Sequence, residues 1–348
     1  MLKYNKVKSS DYDAILVISF GGPEGMDDVM PFLENVLRGR NVPRERMLQV
    51  AQHYELFGGV SPINAQNREL IAALYRELET NGPRLPIYWG NRNWHPLLAG
   101  TVQQMAADGI REALAFVTSA YSSYSSCRQY LEDIERARAA VGPHAPRIDK
   151  LRAFYNHPGF IEANVANVRT ALSQIPEARR TATAIAFTAH SIPLSMAGQC
   201  EYAAQLHEAS SLVAGLLEQR QWSLVYQSRS GPPTQPWLGP DISDHLKELR
   251  AAGTLDVVIA PIGFVSDHME IIYDLDTEAR ALCQDLGLNM VRASTAGTHP
   301  AFIGMVRELT NERIDPAAPR RYLGTRGTAN DLCAPDCCSL ERLAEKVR

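Results

Sequence analysis

Eight short apolar, β-branched runs, separated by helical patterns, constrain this 348-residue chain more than any other feature. They are AILVIS (14–19), LPIYWG (85–90), ALAFVT (113–118), LRAFYN (151–156), ATAIAFT (182–188), SLVYQS (223–228), LDVVIAPI (255–262) and LNMVRAS (288–294). Each is apolar on both faces and does not alternate, as expected of strands covered on both sides. Stretches such as INAQNRELIAALYRELET and CRQYLEDIERARAAV lie between them with helical spacing. Strand then helix, repeated throughout, predicts parallel sheets with helical crossovers, an α/β fold. Four runs end by residue 156 and four begin at 182 or later, so two similar halves are expected.

The composition excludes several function classes. Hydrophobic residues make up 45%, charged residues 21%, and the net charge is −4, so the basic footprint of a nucleic-acid binder is missing. No apolar run approaches the roughly 18 residues needed to span a bilayer. The opening MLKYNKVKSSDYD lacks the apolar centre of a signal peptide, which gives a cytoplasmic expectation. Disulfides are rare in that compartment. Three of the six cysteines nevertheless crowd into CAPDCC (333–338).

In open parallel sheets, ligands bind beyond the carboxyl ends of the strands. The segments there are FGGPEG (20–25), NRNWHP (91–96), SAYSSYSSC (119–127), AHSIP (189–193), RSGPPTQPW (229–237) and GFVSDHME (263–270). Their Gly, Pro, aromatic and hydrogen-bonding residues suit a cleft for a flat, largely apolar ligand. His190 closes one strand and Glu270 follows another, so neighbouring strands would bring both into one cleft. Such a pair can bind Fe²⁺ or a similar ion, or it can move protons. Glu270, Asp274 and Glu278 stand four residues apart and form one slanting stripe on a helix, which read alone is a solvated acidic face. RGRNVPRER sets Arg38, Arg40, Arg44 and Arg46 close together. One or two of these guanidinium groups could grip the carboxylates of a ligand while the others stay in water. The three tail thiols need one more cysteine to make a four-thiol site for an iron–sulfur cluster or zinc. Cys127, in a loop beyond a strand, is the candidate, with Cys200 as its rival and Cys283 assigned to the core; unligated thiols are the alternative.

The stretches ILVISFGGPEG, VLRGR…HYELFGGVSP, FTAHSIP, YQSRSGPPTQPWLGPD and PIGFVSDHMEIIYDLD, in order from residue 15 to 276, resemble the ferrochelatases, which insert Fe²⁺ into a porphyrin. SFGGPE, SAYSSYSSC and the late cysteines are most similar to the actinobacterial-type coproporphyrin III ferrochelatases with a 2Fe-2S cluster. The resemblance implies two Rossmann-like, chelatase-type domains, each a four-stranded parallel sheet flanked by helices, with the porphyrin cleft between them. They would span 1–165 and 166–298, with a helix at about 299–310 returning to the first and a cysteine-bearing tail at 315–348. It implies His190 as catalytic base and iron ligand, Glu270 as its partner, and Asp274 and Glu278 as an outer path for Fe²⁺ or protons. Substrate contacts fall on Phe20, Arg38, Tyr54 and Ser61, and the cluster falls on Cys127, Cys333, Cys337 and Cys338. Two positions depart from relatives: Phe20 replaces a tyrosine that ligates product iron, and His53 replaces an arginine at the cleft rim. Implied partners are coproporphyrin III and Fe²⁺, with room for transient contact with neighbouring haem-pathway enzymes, on a chain expected to be a monomer. Other readings are a protoporphyrin IX ferrochelatase, a cobalt- or nickel-inserting chelatase, and a non-catalytic haem or metal carrier of the same fold.

Overall fold

The computed structural model describes residues 12–39, 42–231, 234–332 and 337–338. Its strands are β1 (Ala14–Ser19), β2 (Ile87–Asn91), β3 (Glu112–Val117), β4 (Arg147–Lys150), β5 (Ala184–His190), β6 (Trp222–Gln227), β7 (Asp256–Ala260) and β8 (Asn289–Arg292). They form two four-stranded sheets of order β2-β1-β3-β4 and β6-β5-β7-β8. Every pairing is parallel. The central strand β1 is buried along its whole length, which explains its continuous apolar run.

Helices of the first half are α1 (Met26–Val36), α2 (Arg44–Glu55), α3 (Ile63–Asn81), α4 (Leu98–Ala107), α5 (Gln129–Val141) and α6 (Pro158–Ser173). The second half adds α7 (Glu177–Arg180), α8 (Leu194–Ala197), α9 (Tyr202–Leu216), α10 (Ile242–Ala251), α11 (Met269–Tyr273), α12 (Arg280–Leu286) and α13 (Pro300–Ile314). π-Helical turns cover Tyr124–Arg128 and Asp274–Ala279. The boundary read at 165/166 falls inside α6, which runs unbroken through it. The last helix, α13, packs against α3 and α6.

One expected strand is displaced. LRAFYN (151–156) is not a strand, and the fourth ladder is built by the preceding β4. All six residues are buried, but their role is to cross the interior toward α6. Phe154 stacks on Phe116 at 5.4 Å and meets Phe302 of α13 edge-on at 5.9 Å. A run buried on all sides has the same composition whether it pairs in a ladder or not, so periodicity could not separate the two.

The apolar interior is shared between the sheets. Ile15, Val17 and Phe116 of one sheet and Ile185, Phe187 and Val258 of the other join a single cluster with Phe160 of α6 and Phe302 and Val306 of α13. Outer clusters back each sheet, through α4 and α5 on one and α10 and α12 on the other. A fourth cluster joins Val29, Phe32, Leu33, Ala51 and Tyr54 of α1 and α2 to Met269 of α11, so the first half reaches over onto the second.

Candidate active site

In both sheets the order reverses beside the first central strand, between β1 and β3 and between β5 and β7. Crevices open at such switch points, beyond the carboxyl ends of the strands. His190 is the last residue of β5, and Glu270 lies in the first turn of α11, which follows β7. The chain after β7 crosses the end of β5: Gly263 N–H donates to Thr188 O at 3.0 Å. A Cβ on Gly263 would stand 2.6 Å from Ala189 Cβ, so the crossing needs glycine. This close pass delivers α11 to the histidine.

His190 Nε2 stands 3.6 Å from Glu270 Oε1, and the two side chains are 31% and 49% exposed to the cleft. His190 Nδ1 donates to Ser191 O at 2.5 Å, which fixes the ring and turns Nε2 toward Glu270. Burial opposes charge on the imidazole, but the Glu270 carboxylate outweighs it and raises His190 to about 9. Burial likewise works against ionised Glu270, and the His190 and His268 imidazoles overcome it and hold the carboxyl at about 2. The ligand-free pair is therefore an imidazolium beside a carboxylate at neutral pH.

The acidic stripe departs from the straight α-helix expected of it. After α11 the backbone widens into the π-turn over Asp274–Ala279 before resuming as α12. Inserted turns of this kind re-aim side chains and gather at functional sites. Asp274 accepts hydrogen bonds from Ser228 Oγ and, at 3.3 Å, from Gln227 Nε2, while the same Gln227 amide donates to Glu270 O at 3.0 Å. Burial, with Glu270 and Glu278 close by, pushes the Asp274 carboxyl up to about 7. Glu278 is exposed and hydrogen-bonds Tyr273, whose ring stacks on His53 of α2 at 3.7 Å and 8°. His53, the rim departure, thus joins the two halves beside the outermost carboxylate.

The opposite wall is aromatic. Phe20 closes the end of β1, 38% exposed, with its ring edge-on to Phe32 at 6.3 Å. Tyr54 is buried edge-on to Phe32 at 6.0 Å, and burial with the nearby Glu270 charge raises its hydroxyl pKa. Ser61 is buried where its N–H donates to Pro23 O at 2.9 Å. Arg38 is exposed just past α1, and Arg40 lies outside the described residues.

The sequence matches the model of the ferrochelatase family over residues 12–314. The chain belongs to the ferrochelatase family. A protein named ferrochelatase from Rhodopirellula baltica is 57% identical over 94% of this chain and 93% of its own. One named coproporphyrin III ferrochelatase from Nocardia farcinica is 51% identical over 95% and 97%, and one of that name from Streptomyces coelicolor is 51% identical over 95% and 94%. Among solved structures, SirB from Bacillus subtilis with Fe³⁺ superposes with a TM-score of 0.54 at 12% identity, over 89% of this chain and all but a little (99%) of its own. That likeness carries the fold: two parallel sheets about a cleft.

Several further residues around this cleft are not singled out by the sequence. His268 caps α11, its Nδ1 accepting from Glu270 N–H at 3.2 Å, and burial lowers its pKa. Asn64 and Asn91 are fully buried and hydrogen-bond each other at 3.1 Å. Asn64 also donates to Gly22 O and His95 O at 3.2 and 3.1 Å, pinning the loop behind Phe20. Cys127 is buried in the first π-turn, and Cys337 and Cys338 stand 3.7 Å apart at sulfur. Burial first, then Cys337, Cys200 and Cys127 in turn, raise the Cys338 thiol, so four sulfurs share one neighbourhood. Cys200 is therefore in the group with Cys127, and Cys333 lies outside the described residues. Cys283 packs in the core against the second sheet, as expected. Among the described residues no three His, Cys, Asp or Glu side chains are close enough to hold one metal ion. No described helix is long and apolar enough to cross a membrane.

Proposed function

We propose that this protein inserts Fe²⁺ into coproporphyrin III, with His190 as the base that takes the pyrrole protons. The observation that carries the reading is the 3.6 Å His190–Glu270 contact at the switch point of the second sheet, facing an aromatic wall. Insertion releases two pyrrole protons as the dication enters the macrocycle. An imidazole held at Nδ1 has Nε2 available for them once its resting proton has left. Glu270 offsets the charge that forms, and Asp274, poised at about 7, can take up and give back a proton at neutral pH. Glu278 continues the path to the surface. Phe20, Tyr54 and Ser61 would line the macrocycle, and Arg38 would meet a propionate. Phe20 has no oxygen for product iron, so that position would offer the macrocycle an apolar ring instead.

A 2Fe-2S cluster held by Cys127, Cys333, Cys337 and Cys338 belongs to the same proposal. Thiolates bound about 2.3 Å from one tetrahedral metal stand a little under 4 Å apart, and the Cys337–Cys338 sulfur spacing of 3.7 Å suits that edge. A cluster there supplies a cross-link between the tail and the body.

Anaerobic Fe²⁺ insertion followed by visible absorbance, with coproporphyrin III and protoporphyrin IX side by side, tests the reading. Faster turnover of coproporphyrin is expected. Preference for protoporphyrin would overturn the substrate, and tight binding of both without turnover would make the protein a carrier.

A further inference from the structure

The segment after α13 is left unused by metal insertion, and it is built with care. Over residues 315–332 it has neither helix nor strand, yet polar contacts hold it step by step. Asn156 O accepts from Leu323 N–H at 2.9 Å, and Asn156 Nδ2 donates to Leu323 O and Gly327 O at 3.3 and 2.8 Å. Arg152 donates to Arg321 O at 2.9 Å. Farther on, Glu208 of α9 accepts from the N–H groups of Thr325 and Arg326 at 2.9 and 3.3 Å, and Arg326 pairs with Glu201 at 2.6 Å. Gly324 has φ +79, and a Cβ there would meet Glu208 Oε1 at 2.5 Å, so the segment closes on α9 only through glycine. It is a strap from the loop after β4 to the start of α9. A cavity of about 600 Å³ lined by His207, Glu208, Leu212, Gly324 and Arg326 lies beside it. Polar contacts around an open cavity can release without unfolding the core.

The helix under the strap begins with Tyr202. This tyrosine is 5% exposed, and its hydroxyl donates to the backbone oxygen of His190 at 3.1 Å. Pairing of β5 with β7 stops at Phe187↔Ala260, three residues before His190, so that side of the strand tip lacks a ladder. Tyr202 also meets Tyr121 edge-on at 6.0 Å, and Gln205 exchanges hydrogen bonds with Ser122 at 2.8 and 3.1 Å. Cys200, in the thiol neighbourhood, stands two residues before it. Strap, helix start and strand tip are thus in mechanical sequence.

We propose that Tyr202 is a positioning residue for His190, and that the strap over 315–332 sets it by fixing the start of α9. Removing the hydroxyl leaves the His190 carbonyl without that donor, and the strand tip then keeps its β6 pairing, His190↔Gln227 with Ser191 N–H on Gln227 O at 2.8 Å, as its ladder support. A displacement well under 1 Å is enough to cost rate where a proton must pass between aligned atoms. The role rests on the reading of His190 as base, so its test includes a readout independent of turnover.

The variants are Tyr202→Phe, Arg326→Ala and the double replacement, made in the full chain. In Tyr202→Phe, kcat for iron insertion should fall about tenfold with the porphyrin KM unchanged and the melting temperature a little lowered, because one carbonyl loses its donor. Arg326→Ala should slow the parent protein but add nothing in the Tyr202→Phe background, because both act on one element. The ring signals of His190 in histidine-labelled NMR spectra should move in both single variants. An unmoved His190 signal, a loss in KM instead of kcat, or equal effects of Arg326→Ala in both backgrounds would each overturn the proposal. If the parent inserts no iron but the His190 signal moves, the chelatase reading fails and the positioning role stands. Should Tyr202→Phe not fold, Arg326→Ala and Glu201→Gln must move that signal by themselves, and failure to do so overturns the role.

Discussion

His190 rests as an imidazolium, and to act as the proposed base it must first be neutral. Glu270 is the reason for the resting charge: its carboxylate, 3.6 Å from Nε2, holds the ring at about 9. Turnover should therefore rise with pH along a limb set by this pair, and Glu270→Gln should move the limb down toward the ordinary imidazole value of 6.5, while lowering the maximal rate. A pH–rate profile of both proteins checks it. The same pair contributes stability with a definite sign. The raised histidine stabilises fully below about 6.5 and loses its contribution as pH climbs through about 9. The depressed carboxyl stabilises above about 4.5 and loses its contribution as pH falls through about 2. Melting of His190→Ala against the parent should differ most between those inner limits and converge beyond the outer ones. The meeting of His190 and Glu270 is legible in the sequence because residues just beyond neighbouring strand ends share one crevice. Asn91 and His268 lie in the same strand-end segments, but their roles, like that of Asn64, depend on hydrogen-bond partners that no sequence pattern names.

At the scale of elements, seven of the eight apolar runs became strands at nearly their expected bounds, because a central parallel strand must be apolar on both faces. LRAFYN failed for the same reason: burial without a ladder has the same composition. The π-turn over Asp274–Ala279 was hidden by the four-residue spacing of the carboxylates, which a straight α-helix accounts for equally well. The order of the sheets, and with it the meeting of β5 and β7 tips, depends on packing that no local pattern states. Gly263 is where that packing becomes testable. Gly263→Ala places a methyl 2.6 Å from Ala189 Cβ, and the backbone after β7 must move away from β5 to accept it. A shift of about 1 Å there separates Glu270 from His190 and should cost on the order of 100-fold in insertion rate. Porphyrin binding should survive, because the aromatic wall belongs to the other sheet. Fluorescence titration beside a rate assay separates the two effects.

On the scale of the whole molecule, the two halves visible in the sequence are not two independent cores. α6 and α13 sit between the sheets and contribute Phe160, Phe302 and Val306 to one interior. At its edge Arg152 and Glu312 form a two-pronged ion pair, at 2.7 and 2.8 Å, with side chains 1% and 2% exposed. The pair joins the loop after β4 to α13, and the strap adds its own bond to Arg152 through Arg321 O. A guanidinium left there without its carboxylate is a buried charge with its main partner gone. Glu312→Ala should then cost about 3–5 kcal/mol in urea unfolding, whereas an apolar replacement of both partners should cost much less. The shared interior adds a second requirement. Trp89 and Trp94 report on the first half, Trp222 and Trp237 on the second. If the interior is one cooperative unit, tryptophan fluorescence and far-ultraviolet circular dichroism must give one coincident transition in the parent and in Glu312→Ala alike. Two separated transitions would mean that the halves hold together only through α13 and the strap.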